Sequence, residues 1–99
     1  MKRLVWNIDK SIALRSDSSR GNVGFEECVV AIESNNILDD IENPSINHPS
    51  QRLFVLEISN YAYAVPYVEG DNELFLKTVF PSRKLTALYL AGDDHEKDT

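Results

Sequence analysis

The stretch from Glu73 to Leu90, ELFLKTVFPSRKLTALYL, joins a strand pattern to a helix pattern and decides how the end of the chain folds. Apolar and other side chains alternate from Glu73 to Phe80, which is typical of a strand. Apolar residues then recur at helical spacing up to Leu90, and Pro81 stands where proline is favoured in a first helical turn. The pattern predicts a strand that ends in a short C-terminal helix.

Positive charge collects at the junction of this strand and helix. Lys77, Arg83 and Lys84 lie there, and residues 74–92 contain no acidic residue. The whole chain has a net charge of −6, so this cationic corner, defined by those three residues, differs in sign from the rest of the sequence. An acidic protein does not attract nucleic acid through its overall field, and any RNA contact is therefore expected at such a local patch.

The remaining composition predicts one small cytoplasmic domain. Ninety-nine residues suit a single core, which we place in residues 1–92, and residues 93–99 form an acidic tail that we expect to be disordered. No apolar run approaches the roughly 20 residues of a membrane span, and the N-terminus lacks the apolar segment of a secretory signal. The single cysteine, Cys28, excludes a disulfide within the chain and fits a reducing compartment.

The sequence before the corner predicts two helices and then a sheet. Asp9 is a plausible N-cap for a helix that begins near Lys10, and Phe25, Cys28 and Ile32 follow helical spacing in a second helix. Strands are predicted over 52–58, 61–69 and 73–80, with short links that imply an antiparallel meander. Pro66 cannot donate to a ladder, so a bulge or an unpaired side is expected there.

The predicted fold class is therefore α+β. Two N-terminal helices pack on one face of a three- to four-stranded antiparallel sheet, and a short C-terminal helix packs on the same face.

Several short motifs resemble the BrnT-like toxins, and the resemblance covers most of residues 5–90. They are Trp6-Asn7 with Lys10, the helix start Gly24-Phe25-Glu26-Glu27, Gln51-Arg52, Ser82-Arg83-Lys84 and Tyr89. The resemblance implies the toxin of a type II toxin–antitoxin pair with a fold similar to the RelE-like ribonucleases. It also implies a hetero-oligomer with a small, basic, DNA-binding antitoxin that neutralises the toxin.

RNA cleavage without a metal or another cofactor requires a group that helps to deprotonate the 2′-OH, charge that stabilises the phosphorane, and a proton for the leaving oxygen. We assign catalytic roles to Arg83, Lys77 and Tyr67. Arg83 would clamp a phosphate with its planar fork, and Tyr67 would pass a proton or stack on a base. The predicted RNA-binding residues are Lys84, Arg52 and Ser82.

Each of these assignments has an ordinary structural alternative. Arg83 and Lys84 could form a solvated first turn paired with the acids of residues 69–73, and Lys77 could guard a sheet edge. Tyr67 shares a strand face with Tyr61 and Tyr63, for which core packing is the commoner role.

A metal site is not expected. His48 and His95 have no further ligand at suitable spacing, and Cys28 lies on the apolar stripe of the second helix as a core thiol. Asp39, Asp40 and Glu42 have the composition of a metal cluster, but we interpret them as a solvated face or as a docking patch for a basic antitoxin.

A second function remains open from sequence alone. The chain could be a non-catalytic interaction module whose acidic surface binds a basic partner protein, because residues 36–73 contain only one basic residue, Arg52, among seven acidic ones. A small housekeeping domain is the third alternative. The acidic tail could also cover the cationic corner, in which case deletion of residues 93–99 would raise the affinity for nucleic acid.

Overall fold

The computed structural model describes residues 2–44, 47 and 50–90. The acidic tail, His48 and His95 therefore lie outside the described residues. The chain order is β1 (Arg3–Val5), α1 (Ile8–Arg15), a 3₁₀ turn (Ser18–Arg20), α2 (Phe25–Glu33), β2 (Ile37–Glu42), β3 (Arg52–Ile58), β4 (Tyr61–Glu69), β5 (Glu73–Leu76), β6 (Phe80–Pro81) and α3 (Arg83–Tyr89).

The sheet is mixed and has six strands, in the order β1-β5-β4-β3-β2, with β6 also paired to β4. The predicted antiparallel meander forms its centre, because β2, β3, β4 and β5 are joined by antiparallel pairs. The expectation of three or four purely antiparallel strands was wrong. β1 adds at one edge of the sheet, parallel to β5. Short links between consecutive strands indicate only antiparallel pairs, so they do not predict this distant parallel pair.

The turn between β3 and β4 fixes their register. Ser59 and Asn60 both have positive φ, at 54° and 65°, and Ile58 pairs directly with Tyr61. Two such residues in succession give a tight turn whose twist matches that of the flanking strands. The central pair therefore forms with the boundaries that the sequence predicts.

Helices cover both faces of the sheet, which corrects the prediction of a single covered face. Phe25 and Ile32 of α2 pack with Leu56 and the other inward residues of one face, together with Leu14 of α1. On the opposite face, Leu85 and Tyr89 of α3 cover a smaller cluster. That cluster consists of Leu53, Val55, Ala62 and Ala64. β3 and β4 are buried on both faces, so each face needs a cover.

Ser11 joins the first two helices below the surface. Its Oγ donates to Glu26 Oε1 at 2.5 Å and accepts from the backbone N–H of Phe25 at 3.0 Å. The hydrogen bond from Ser11 is the main cause that lowers the pKa of Glu26. Asn7 caps the N-terminus of α1, because its side chain accepts from the Lys10 N–H. The predicted N-cap at Asp9 was therefore wrong by two positions.

Ser11→Ala is expected to lower the free energy of unfolding by about 1–3 kcal/mol, because the buried N–H of Phe25 loses its acceptor. Urea denaturation followed by circular dichroism measures the change. The matched control is Ser18→Ala, which replaces an exposed serine and should change stability by less than about 0.5 kcal/mol. Equal changes in the free energy of unfolding for the two variants would show that the Ser11 hydrogen bonds do not stabilise the fold.

Candidate functional site

The sheet is interrupted beside Pro66. The predicted third strand is divided into β5 and β6, and residues 77–79 between them leave the ladder. The Pro66 carbonyl accepts from Lys77 N–H at 2.8 Å, so the side of Pro66 that lacks an N–H faces this interruption. The expected unpaired side is therefore present, and the pairing of β4 with β3 continues in register across Pro66.

A pocket of about 540 Å³ opens at the interruption, on the face that α3 covers. Three lysines, Lys10, Lys77 and Lys84, line it, and we call it the lysine pocket. Its other lining residues are Ile41, Asn43, Pro44, Gln51, Leu53, Ala64, Pro66, Thr78, Phe80, Ser82 and Leu85. No carboxylate is among these residues.

The three lysines have no ion-pair partner within the described part of the chain. Other cations are paired with the acids that could have neutralised the corner: Lys2 with Glu69, and Arg3 with Glu73. The alternative in which Arg83 and Lys84 pair with the acids of residues 69–73 is therefore wrong. Lys77 Nζ lies 5.0 Å from the centroid of the Phe75 ring, which holds the ammonium near the sheet without removing its charge.

Backbone contacts fix α3 beside the pocket. Ser82 N–H donates to the Ala62 carbonyl at 2.9 Å, and Ala62 N–H donates to Thr86 Oγ1 at 2.9 Å. Ser82 is the N-cap, and its Oγ accepts from Leu85 N–H at 3.1 Å. The helix therefore begins at Arg83, and the prediction that Pro81 opens it was wrong because Pro81 belongs to β6.

The predicted site residues are divided between two places. Lys77, Ser82 and Lys84 line the lysine pocket, whereas Arg83 is exposed at the start of α3 and is not among the lining residues. Arg52 and Tyr67, which the sequence analysis also assigns to the site, are not among the lining residues. Their contacts lie on the opposite sheet face, where Arg52 Nε donates to Tyr67 Oη at 3.2 Å.

Asp40 joins Arg52 and Tyr67 on that opposite sheet face. Its carboxylate accepts from Tyr67 Oη at 2.7 Å and from Arg52 Nε at 3.3 Å. Burial and the hydrogen bond to Asp40 raise the pKa of Tyr67 to about 12, and the hydrogen bond to Tyr67 is the main cause that raises the pKa of Arg52. The Tyr67 ring stacks on Phe54 at 4.3 Å, so this phenol is a buried core group.

Tyr67→Phe is expected to lower the free energy of unfolding by about 1–3 kcal/mol, since Asp40 and Arg52 lose a shared, largely buried partner. Thermal and urea denaturation measure the change. In the native protein, absorbance at 295 nm should show the Tyr67 phenol ionising only near pH 12. A stable variant, together with a normal tyrosine titration curve in the wild type, would contradict the buried hydrogen-bonded position.

The acidic group in β2 is not one continuous patch. Neighbouring strand residues point to opposite faces, so Asp39 and Asp40 diverge. Asp39 Oδ2 accepts from Tyr89 Oη at 2.5 Å, and this hydrogen bond is the main cause that lowers the pKa of Asp39. Both aspartates therefore accept hydrogen bonds from tyrosines of the fold, Asp39 from Tyr89 and Asp40 from Tyr67.

Lys10 was missed from the sequence as a pocket residue. It lies on α1, and nothing in its local pattern separates it from an ordinary solvated helix position. Gln51 and Phe80 were missed for a related reason. Gln51 precedes β3 and Phe80 begins β6, and both line the pocket beside the lysines.

Cys28 is a core thiol, in agreement with the sequence. It is fully buried, and its Sγ donates to the Gly24 carbonyl at 3.5 Å. Burial, with smaller contributions from the charges of Glu27 and Glu26, raises the thiol pKa to about 12. A thiol held in its protonated form is a poor nucleophile.

Native Cys28 should resist a disulfide reagent at pH 8 and react fully once the protein is denatured. In unfolded chains the thiol ionises near pH 8.5, so this group contributes stability that is complete below about pH 8.5 and is lost as pH rises towards 12. Absorbance assays with and without denaturant measure the reactivity. Equal rates in both states would contradict the buried position.

The described residues contain neither a metal-binding cluster nor a membrane-spanning helix. Residues 2–44, 47 and 50–90 hold no group of three or more His, Cys, Asp or Glu side chains placed to bind a metal ion. None of the described helices has the length and apolar content needed to cross a membrane.

Among residues 2–44, 47 and 50–90, those that line the lysine pocket provide an apolar wall, three cations and no carboxylate. Such a lining can hold an anion that also carries an apolar part. Comparison with family models, curated proteins and solved structures found no match to this chain.

Proposed function

We propose that this protein is an RNA-cleaving toxin that binds the phosphates of its substrate in the lysine pocket and needs no metal. One observation carries the proposal: in a chain of net charge −6, Lys10, Lys77 and Lys84 lack ion-pair partners among the described residues. All three line one pocket, and none of the described residues that line it is a carboxylate. Such a concentration of cations favours a polyanion locally, although the total charge opposes it. The resemblance of Ser82-Arg83-Lys84 to BrnT-like toxins supports the same function.

The proposed reaction is an internal transesterification of RNA. The 2′-oxygen attacks the adjacent phosphorus and passes its proton to solvent water, while the bond from phosphorus to the 5′-oxygen breaks. The departing 5′-oxygen takes up a proton. The products are one fragment that ends in a 2′,3′-cyclic phosphate and one that begins with a 5′-hydroxyl, so no external co-reactant is consumed.

The residues of the pocket would contribute mainly charge. Lys77 and Lys84 are placed to stabilise the extra negative charge of the phosphorane, and ammonium groups can also donate the proton that the leaving oxygen needs. Arg83, exposed next to them, is available as a clamp on a neighbouring phosphate. Tyr67 and Arg52 have no catalytic part in this proposal, since their contacts lie on the other sheet face.

An RNA degradation assay in the presence of a chelator tests the proposal. Wild type should generate fragments with 5′-hydroxyl ends, and Lys84→Gln should reduce the rate by at least about tenfold. Lys2→Gln is the matched control, because it removes the same charge from a lysine paired with Glu69 away from the pocket. Intact RNA with folded wild type, or equal loss in both variants, would overturn the proposed site.

A basic partner protein is the second candidate, and one observation favours it. Glu26, Glu27 and Glu57 line a shallow pocket of about 330 Å³ beside Val30, whose side chain is exposed. Glu26 also accepts from Ser11, and Glu27 pairs with Arg15. Carboxylates around an exposed apolar residue suit a basic, amphipathic segment such as that of a DNA-binding antitoxin. Association that weakens as salt rises, and that Val30→Asp abolishes, would support this function. Association insensitive to both changes would count against it.

A further inference from the structure

We propose that the lysine pocket receives one unpaired nucleobase while its lysines bind the flanking phosphates, so that the substrate is single-stranded RNA. This inference rests on the proposed RNA-binding function and adds a base-binding subsite to it. We assign a nucleobase of a single RNA strand to this pocket because of its volume, its apolar wall and its lysines.

The apolar wall of the pocket is not explained by phosphate binding. A phosphate requires only cations and hydrogen-bond donors, but Phe80, Leu53 and Leu85 contribute apolar surface next to the lysines. Phe80 is an aromatic residue that remains 37% exposed. The volume of about 540 Å³ lies within the range of about 300–1,000 Å³ that is usual for small-molecule sites. A planar base can use this surface, since stacking on an aromatic ring favours every base.

Two carboxamides lie in the same wall. Asn43 Nδ2 donates to Gln51 Oε1 at 3.3 Å, and both residues line the pocket. Asn43 thereby orients the Gln51 carboxamide, whose Nε2 carries donors of the kind that read the edges of a base. The pocket thus combines an aromatic face, the Gln51 amide and phosphate-binding ammonium groups, and these are the three contacts that an unpaired nucleotide can make together.

The combination selects against duplex RNA. In an A-form duplex the bases are stacked on each other, and the deep, narrow major groove hides their edges. A duplex could reach the lysines with its phosphates but could not place a base against Phe80 or Gln51. Single strands can turn a base outwards, and therefore only they can use both parts of the pocket.

Fluorescence anisotropy of the full chain with uncleavable probes tests the inference. The probes are a single-stranded 2′-O-methyl RNA of ten nucleotides, the same sequence as a duplex, and inorganic polyphosphate as a competitor without bases. Wild type should bind the single strand at least about tenfold more tightly than the duplex. Phe80→Leu should lose about tenfold affinity for the single strand and keep its affinity for polyphosphate.

Two further variants separate the possible failures. Phe80→Tyr keeps the aromatic ring and should restore single-strand binding, even if Phe80→Leu is poorly folded. Lys77→Gln should weaken every probe, because it removes charge and no base contact. Equal affinity of wild type for all three probes would overturn the base subsite and leave backbone binding intact. Failure of wild type to bind any probe at low salt would overturn the proposed function as well.

Discussion

Phe25→Ala is expected to lower the free energy of unfolding by about 3–5 kcal/mol, because the substitution removes a whole ring from the core. Phe25 begins α2, is completely buried, and belongs to the cluster that joins both N-terminal helices to the sheet. Its ring lies 6.2 Å from that of Trp6, which follows β1. Truncation would leave a cavity where three elements meet. A small domain typically has only 5–15 kcal/mol of stability in total.

Urea denaturation measures this effect, and Ile12→Ala is the matched control. Ile12 is 59% exposed on α1, so its truncation should change stability by less than about 0.5 kcal/mol. If the two substitutions cost the same, α2 would not be anchored through Phe25, and the described core would be contradicted.

The second large effect is expected from removing all three pocket charges. Replacement of Lys10, Lys77 and Lys84 with glutamine should lower the affinity for single-stranded RNA by more than about tenfold at low salt. The slope of log affinity against log salt should also become shallower by about 2, because each phosphate contact with a single strand contributes about 0.7 to that slope. Binding measured between 50 and 200 mM salt gives both quantities.

A control with the same net charge separates local from overall electrostatics. Glutamine at Lys2, Arg3 and Arg15 removes three charges that are already paired with acids. This variant should keep both the salt slope and most of the affinity. Identical behaviour of the two triple variants would mean that RNA responds only to the overall charge, and the lysine pocket would lose its assigned role.

The sequence predicts those parts of the fold that depend on local pattern. β3 and β4 have the boundaries expected from alternation, and α2 begins at Phe25 as its helical spacing indicates. Asn35, with φ at 62°, lies in the left-handed conformation that asparagine tolerates just after a helix, here after α2. In each case neighbouring residues determine the conformation, so a short window contains the necessary information.

The remaining parts of the fold depend on contacts between distant residues. β1 pairs in parallel with β5 across almost the whole chain. α3 lies on the second face because Leu53 and Val55 need a cover there. The division of the third strand also depends on its partner, since residues 77–79 leave the ladder opposite the proline of β4. A pattern of alternating residues gave no sign of that division.

The sequence predicts only part of the candidate site, because the site too depends on contacts between distant residues. Lys77, Ser82 and Lys84 are close in sequence and remain together at the pocket. Arg52 and Tyr67 occupy the other face. Successive side chains of a strand point to opposite faces, and the sequence does not show which of the two faces α3 covers. Lys10 joins the pocket from a helix more than sixty residues away from Lys77 in sequence.

The most direct test of the account is an NMR titration of the full chain with a single-stranded, uncleavable RNA. The largest changes in backbone amide shifts should occur at Lys77, Thr78 and Lys84, around the lysine pocket. Amides near Arg52 and Tyr67, on the opposite face, should change little. Shifts centred on Arg52 and Tyr67, or no shifts at RNA concentrations in the millimolar range, would contradict the claim that this pocket binds RNA.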